Sequence, residues 1–281
     1  MKPIHFPQRP RAGSGAPRGR LFWVAIVCSA VFGLASAAPV PVSSSADPAT
    51  TFFTPPGPLP ADLAARAQAG QAAAQLELAR ELYAQGHKNQ ALNWLTEANQ
   101  QGDAQAQYLL GLLYLRGDGV SQDFDQGRYF LGKAAAQHYA PAELALAQSL
   151  LDAEFDDADA DPTTWQAAQR RGLSLLRAAA AQSYAPAQYR LGLWCARAGS
   201  DCASQAVGAL AAAADQGMID AAYMVGVVVA RGGGGPQDRA LAEHDLHRVV
   251  AVAPPGSAYA REAMRLLAVI QGNAARDAAK R

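Results

Sequence analysis

The sequence predicts an all-α protein, a solenoid of about five stacked helix pairs with a short helix before them and a capping helix after them. Two observations lead to this prediction. The nine-residue pattern at Ala106–Tyr114 recurs at Ala187–Cys195, and weaker copies occur elsewhere in the chain. The copies are spaced near 34 to 36 residues, the length of one helix–turn–helix unit in a stacked array.

Five repeats align on a small residue that follows an aliphatic one. These anchors are Ala79, Gly111, Ala147, Gly192 and Gly226. The steps between them are 32, 36, 45 and 34 residues, so the third repeat carries an insertion. The anchor lies on the first helix of each repeat, helix A, and its small size predicts a close crossing by the second, helix B.

The ends of the helices are marked by residues that cap or break them. Glycines after the anchor are expected to end helix A, because glycine enters the left-handed region at low cost. Asp123 and Asp238 are predicted to N-cap helix B through their carboxylates. The next helix A is expected to begin after one of four junction residues, which are Gly102, Tyr139, Tyr184 and Gly217.

These residues resemble the Sel1-like repeat (SLR), a relative of the tetratricopeptide repeat. The family pattern reads roughly A-x-x-x-L-G-x-x-Y-x-x-G-x-G-V-x-x-D-x-x-x-A, followed by a helix that ends in A-A-x-x-G. Residues 103–139 match it at nearly every position, although Gly127 replaces the usual alanine. The resemblance covers about residues 70–253. It implies a right-handed α/α superhelix with a concave and a convex face, and no catalytic chemistry.

Residues 1–37 have the features of a secretory signal peptide. Five basic residues and no acidic residue precede an apolar run of 14 residues, and Ala35-Ser36-Ala37 then offers the small residues that a signal peptidase reads. We expect cleavage after Ala37. The alternative is an uncleaved anchor, since residues 21–38 are just long enough to span a bilayer. Both alternatives place the repeats in the periplasm or outside the cell.

Residues 38–60 are rich in Pro, Ser and Thr and are predicted to be a linker. The solenoid then covers residues 61–272. It is predicted to begin with a helix over 62–69 and to end with a helix over 257–271, whose Met264, Leu267 and Ile270 share one face. Residues 273–281 are expected to form a frayed polar tail.

Charge and motifs argue against several functions. Five of the 24 basic residues lie in the first 37, which leaves 19 against 24 acidic residues and a net charge of −5. Such a chain lacks the basic surface that nucleic-acid binding requires. None of the common hydrolase motifs is present, so we expect neither an enzyme nor a cofactor. His244 and His247 lack further ligands for a metal, and the acidic insertion, residues 152–161, lacks the glycine and glutamate of a calcium loop.

Cys195 and Cys202 flank the A–B turn of repeat four. An exported protein meets an oxidising environment, so a disulfide between them is expected. Secreted, cysteine-rich members of the family pair cysteines at the same spacing, which supports this pairing. The alternative is two small buried thiols.

In tetratricopeptide-like arrays helix A lines the concave face. Counted from the anchor, the residues at −3, +1 and +5 then point inward. They are Tyr108, Leu112 and Arg116 in repeat two, Tyr189, Leu193 and Arg197 in repeat four, and Tyr223, Val227 and Arg231 in repeat five, while repeat one offers Leu76, Arg80 and Ala84. We call the first nine the groove stripe. Tyrosine and arginine are enriched in binding hot spots. The alternatives are that the tyrosines pack between repeats and that the arginines are merely solvated.

The resulting prediction is an exported scaffold or adaptor that binds a protein or an extended peptide on its concave face. Aligned arginines favour a partner with acidic side chains or a free C-terminus. Two alternatives remain open. One is a membrane-held periplasmic scaffold of a polysaccharide-export assembly, and the other is an accessory protein of an envelope hydrolase.

Overall fold

The computed structural model describes residues 62–152, 162–198 and 203–278. All of them belong to one compact unit, Val42–Arg281. The predicted signal peptide and linker, most of the acidic insertion and Cys202 lie outside the described residues. The described ranges contain twelve helices and no strand: α1 Leu63–Gln68, α2 Ala72–Ala84, α3 Lys88–Gln100, α4 Ala104–Arg116, α5 Phe124–Ala135, α6 Ala140–Asp152, α7 Pro162–Ala181, α8 Ala185–Ala198, α9 Ala203–Asp215, α10 Ile219–Ala230, α11 Pro236–Val252 and α12 Ala258–Ala278.

The helices pack in sequence order, which confirms the predicted all-α solenoid. Repeats one to five are the pairs α2/α3, α4/α5, α6/α7, α8/α9 and α10/α11, and in each pair the two helices contact one another extensively. Helix B of one repeat then packs on helix A of the next. The short helix α1 covers α2, and α12 packs against both α10 and α11.

The close crossing predicted at the anchor is present. A Cβ added to Gly111 would lie 2.7 Å from Leu131 Cγ and 3.0 Å from the carbonyl oxygen of Gly127. The equivalent clash at Gly192 would be with Leu210 and that at Gly226 with Leu246, at 2.5 and 2.6 Å. These three leucines are fully buried. A helix-B leucine therefore fills the space that the helix-A glycine leaves open.

Most of the predicted helix ends are confirmed. Asp123 caps α5 by accepting hydrogen bonds from the backbone N–H of Asp125 and Gln126, and Gly117 ends α4 with a φ of 67°. Asp238 is a correction, because α11 begins at Pro236 and Asp238 lies inside its first turn. Its carboxylate accepts a hydrogen bond from the N–H of Gly235 at 2.5 Å.

The junctions between repeats lie at the predicted residues. Helix α6 begins at Ala140, directly after Tyr139, and α8 begins at Ala185, directly after Tyr184. Gly102 and Gly217 take positive φ values of 82° and 90°, as glycine permits. At the two tyrosine junctions the left-handed residue is the one before the tyrosine, His138 with φ 57° and Ser183 with φ 59°.

A series of side-chain pairs, which was not predicted from the sequence, joins the start of helix A to the turn after helix B in repeats one to four. We call them the amide pairs, because each contains at least one glutamine amide. The pairs are Gln75 with Gln101, Gln107 with Gln137, Glu143 with Gln182, and Gln188 with Gln216, at 2.7 to 2.9 Å. The helix-A members are all buried. Burial raises the pKa of Glu143, although His138 and Gln182 oppose this shift.

The last helix is longer than predicted. α12 continues to Ala278, and Asn273 donates a hydrogen bond to the carbonyl oxygen of Ala230. Its buried face contains Leu267 and Ile270 as predicted, but Met264 is 49% exposed and does not belong to it. Across the described ranges, none of the helices has both the length and the apolar composition of a membrane span.

Candidate functional site

The groove stripe is divided between buried and accessible positions. Tyr108, Leu112 and Val227 are buried, with 3%, 8% and 4% exposure. Tyr189, Leu193 and Tyr223 are partly exposed. The three arginines, Arg116, Arg197 and Arg231, are all exposed at the end of their helix A. The accessible part of the stripe is therefore the three arginines together with Tyr189, Leu193 and Tyr223.

Two of the three stripe tyrosines, Tyr108 and Tyr223, pack against an aromatic ring outside their own repeat or at its end, which fits the alternative interpretation. The ring of Tyr108 meets that of Tyr139, which precedes the next helix A, edge-on with centroids 5.6 Å apart. Tyr223 makes a similar contact with Tyr259 in α12, at 5.0 Å. These rings fill the junction between successive A helices, and only their remaining surface is available to a partner.

A partly buried carboxyl group accompanies the tyrosines at the C-terminal end. Burial raises the pKa of Asp220, while a hydrogen bond from Tyr259 opposes the shift. Burial also raises the pKa of Tyr259, and the nearby charge of Asp220 adds to this effect. Neither residue was predicted from the sequence. Their signal is weak, because Asp220 and Tyr259 lie in different helices and match no repeated motif position.

A second polar cluster joins repeats one and two. Asp118, in the turn after α4, accepts a hydrogen bond from the Tyr83 hydroxyl and pairs with Lys88 Nζ at 2.5 Å. Burial would raise the pKa of Asp118, but the hydrogen bonds from Lys88 and Tyr83, with the charges of Lys88 and Arg116, hold it below its ordinary value. This cluster was not predicted from the sequence.

The comparisons with known proteins agree with this architecture. A family model described as the Sel1 repeat matches residues 72–103, 104–139, 185–205 and 219–244. These segments coincide with repeats one, two, four and five. The chain is a Sel1-repeat protein. Repeat three, which carries the insertion, is not among the matched segments.

Two solved structures are similar to this chain. A protective antigen from uropathogenic Escherichia coli strains with an SLR fold has a TM-score of 0.54 and 24% identity, over 74% of this chain and 48% of its own. This chain thus spans about half of that protein, and at this identity the likeness shows the fold alone. A Sel1 repeat protein from Oxalobacter formigenes has a TM-score of 0.49 and 19% identity, over 73% of this chain and 89% of its own. No curated protein matches the sequence.

Membership places the chain among proteins that are generally non-catalytic and that generally bind protein partners. His244 and His247 are exposed on α11, and the described ranges contain no group of three potential ligands that could hold a metal ion. Cys195 is fully buried near the end of α8. Because Cys202 lies outside the described residues, the pairing of these two cysteines stays a prediction.

Proposed function

We propose that this Sel1-repeat protein is an exported, non-enzymatic scaffold that binds an extended protein segment along the A helices of repeats two, four and five. The observation that carries the proposal is the exposure of Arg116, Arg197 and Arg231 at one register of the repeat. An exposed cation that recurs at the same position in three stacked units supplies a series of contacts for an elongated ligand.

The chemistry of these residues favours a partner that carries carboxylates. A guanidinium binds a carboxylate with two parallel hydrogen bonds, which an ammonium cannot do. Arg80, at the +1 position of repeat one, supports the same conclusion. Its Nε atom is buried and has no hydrogen-bond partner within the described part of the chain. A buried N–H of this kind is stabilised by an acceptor from a bound segment.

Repeats four and five supply the apolar contacts of the proposed site. Tyr189, Leu193 and Tyr223 are only partly covered, whereas their counterparts Tyr108 and Leu112 are buried. Binding energy at protein interfaces is concentrated in partly enclosed aromatic and arginine side chains. We therefore place the centre of the contact on repeats four and five, with Arg116 at its edge.

Export rests on the signal-like residues 1–37 and on Cys195. The basic start, the apolar run and Ala35-Ser36-Ala37 together support secretion. Cys195 is fully buried near the end of α8, and an oxidising compartment would favour its proposed pairing with Cys202.

The binding face is tested with Arg197→Ala in the mature chain and with Arg190→Ala as its matched control. Both arginines are exposed on α8, but only Arg197 belongs to the groove stripe. Calorimetry with a partner captured from envelope extract should show a loss of about 1–3 kcal/mol for Arg197→Ala. Arg190→Ala should bind as the parent does. Equal affinity for both variants, with unchanged helical content, would place the binding face elsewhere.

Export is tested by intact-mass analysis of the protein purified from the cell envelope. The expected mass is that of a chain that begins at Ala38 and carries one disulfide. A chain that still carries Met1 would contradict cleavage, and quantitative thiol labelling without reductant would contradict the disulfide.

A further inference from the structure

A cavity of about 730 Å³ lies at the N-terminal end of the solenoid. It is bounded by the end of α1, the turn that follows it, and one side of α3. Helix α1 has six residues and is about 9 Å long, whereas α2 and α3 have thirteen residues each and are about 20 Å long. Leu63 and Ala67 of the short helix form a small core with Ala74 of α2, and Trp94 of α3 is partly buried against it.

The cavity combines one aromatic side chain with a surrounding set of amides. Nine residues line it, and the six that carry the argument are Gln68, Gln75, Asn93, Trp94, Glu97 and Gln101. Trp94 is partly buried against the small core, so its ring is held in place while part of it remains accessible. The volume lies within the range of ordinary small-molecule sites.

One wall of the cavity is built from buried, hydrogen-bonded groups. Gln75 is 3% exposed, and its Nε2 donates to the carbonyl oxygen of Ala67 at 3.2 Å. Its Oε1 accepts a hydrogen bond from Gln101 Nε2 at 2.8 Å, which fixes the amide of Gln101 at the surface of the cavity. Asn93 and Glu97, one turn of α3 apart, form no side-chain hydrogen bond within the described part of the chain. They are therefore available to a ligand.

The lining selects a class of ligand. None of the nine lining residues is a lysine or an arginine, and Glu97 adds a negative charge, so an anionic ligand is disfavoured. Amides both donate and accept hydrogen bonds, which matches a ligand that carries many hydroxyl groups. The Trp94 ring offers an apolar platform for the C–H face of such a ligand. A protein partner would instead favour an apolar centre with larger side chains.

We infer that this cavity binds a neutral oligosaccharide, with a sugar ring stacked on Trp94 and its hydroxyls hydrogen-bonded to Asn93, Glu97 and Gln101. This site is separate from the groove stripe, because its residues belong to α1, α2 and α3. It gives the protein a second kind of ligand besides a protein partner.

The probes are maltotetraose, cellotetraose and chitotetraose, titrated calorimetrically into the full mature chain. At least one should bind with a dissociation constant below about 10 mM. Trp94→Ala should weaken that binding about tenfold or more. Trp194→Phe, a change in an equally aromatic but remote position on α8, should leave it unchanged. Asn93→Ala alters an exposed residue, so it should preserve the fold and still weaken binding about threefold or more.

Tetragalacturonate, an acidic tetrasaccharide, tests the effect of the negative charge of Glu97. It should bind about fivefold or more weakly than the neutral tetrasaccharide. Glu97→Gln should reduce this difference in affinity, because it removes the charge. The inference is overturned if none of the neutral probes binds up to about 10 mM. It is also overturned if both the Trp94 and Asn93 variants bind as the parent does, or if the acidic probe binds as well as the neutral ones.

Discussion

Repeats two and five align without a gap at an offset of 115 residues, yet they differ in what they bury. Both cross their helices at a glycine, and Leu131 in one corresponds to Leu246 in the other. The residue before that leucine differs. In repeat two it is Phe130, whose ring stacks on Tyr114 with centroids 5.6 Å apart. In repeat five it is Asp245, whose side chain is 1% exposed.

The neighbouring contacts show how repeat five accommodates this charge. Lys133 and Arg248 occupy the same position, and each reaches back to the preceding repeat. Lys133 Nζ lies 3.5 Å from Asn99 Oδ1, and Arg248 Nη2 donates to the carbonyl oxygen of Ala214 at 2.9 Å. Arg248 also pairs with Asp245 Oδ1 at 3.1 Å, while Asp245 Oδ2 has no hydrogen-bond partner within the described residues. The comparison shows that the crossing fixes residue size, while the position beside the crossing leucine tolerates either an aromatic ring or a buried carboxyl group.

The largest loss of stability is expected at the glycine crossing, which repeats two and five share. Gly111→Ala places a methyl group 2.7 Å from Leu131 Cγ and 3.0 Å from a backbone oxygen of the facing helix, so unfolding should become easier by about 1–3 kcal/mol. Gly226→Ala should cost a similar amount. Gly132→Ala is the matched control, because its added methyl group meets nothing within 4 Å.

The control should stabilise α5 by about 0.5–1 kcal/mol through helix propensity alone. Urea unfolding followed by circular dichroism measures all three variants. A Gly111→Ala protein as stable as the Gly132→Ala protein would show that the crossing relaxes freely, and that the shared glycine is not what defines the repeat.

The same residues show which features of the fold could be predicted from the sequence and which could not. The crossing at Gly111 and the cap at Asp123 were predictable, because each depends on the size or chemistry of residues at a fixed place in the repeat. The amide pairs were not, since their partners are 26 to 39 residues apart and lie on different helices. The same holds for Asp118, whose partners Lys88 and Tyr83 belong to the preceding repeat.

The groove stripe could be predicted from the sequence only in part. Its register predicted exposed arginines, and the structure exposes all three. It did not predict that Tyr108 would be covered by Tyr139, because that contact depends on how successive A helices approach one another. His138 and Ser183 were missed at the junctions, since positive φ values are uncommon outside glycine.

A second, smaller effect concerns two carboxyls whose pKa values shift in opposite directions. The pKa of Asp118 is lowered in the fold, so its contribution to stability is present above its unfolded pKa and is lost as pH falls through the folded pKa. Asp118→Asn should therefore cost about 1–2 kcal/mol at pH 7 and progressively less in acid.

Asp245 should behave in the opposite way. Burial raises its pKa, although Arg248 and His244 oppose the shift, so its favourable contribution is lost as pH rises through the folded pKa. Asp245→Asn should gain stability relative to the parent as the pH rises from about 4, the ordinary pKa of an aspartate, to neutral values. Unfolding free energies measured across this range should give opposite trends for the two variants. If the stability of both variants relative to the parent changed in the same direction with pH, the contrast between the ion-paired Asp118 and the buried Asp245 would be contradicted.

The smallest effect lies at the start of helix B, where the two repeats use an aspartate differently. Asp123 stands before α5 and accepts two backbone hydrogen bonds, at 3.0 and 2.9 Å, whereas Asp238 lies within α11 and accepts one. Asp123→Ala should cost about 1 kcal/mol and Asp238→Ala about 0.5 kcal/mol, because only the first removes an N-cap. Since repeats in a solenoid open locally, amide hydrogen exchange within α5 and α11 measures each loss where it occurs. Equal losses in both helices would mean that Asp238, despite its place inside the helix, performs the same capping role as Asp123.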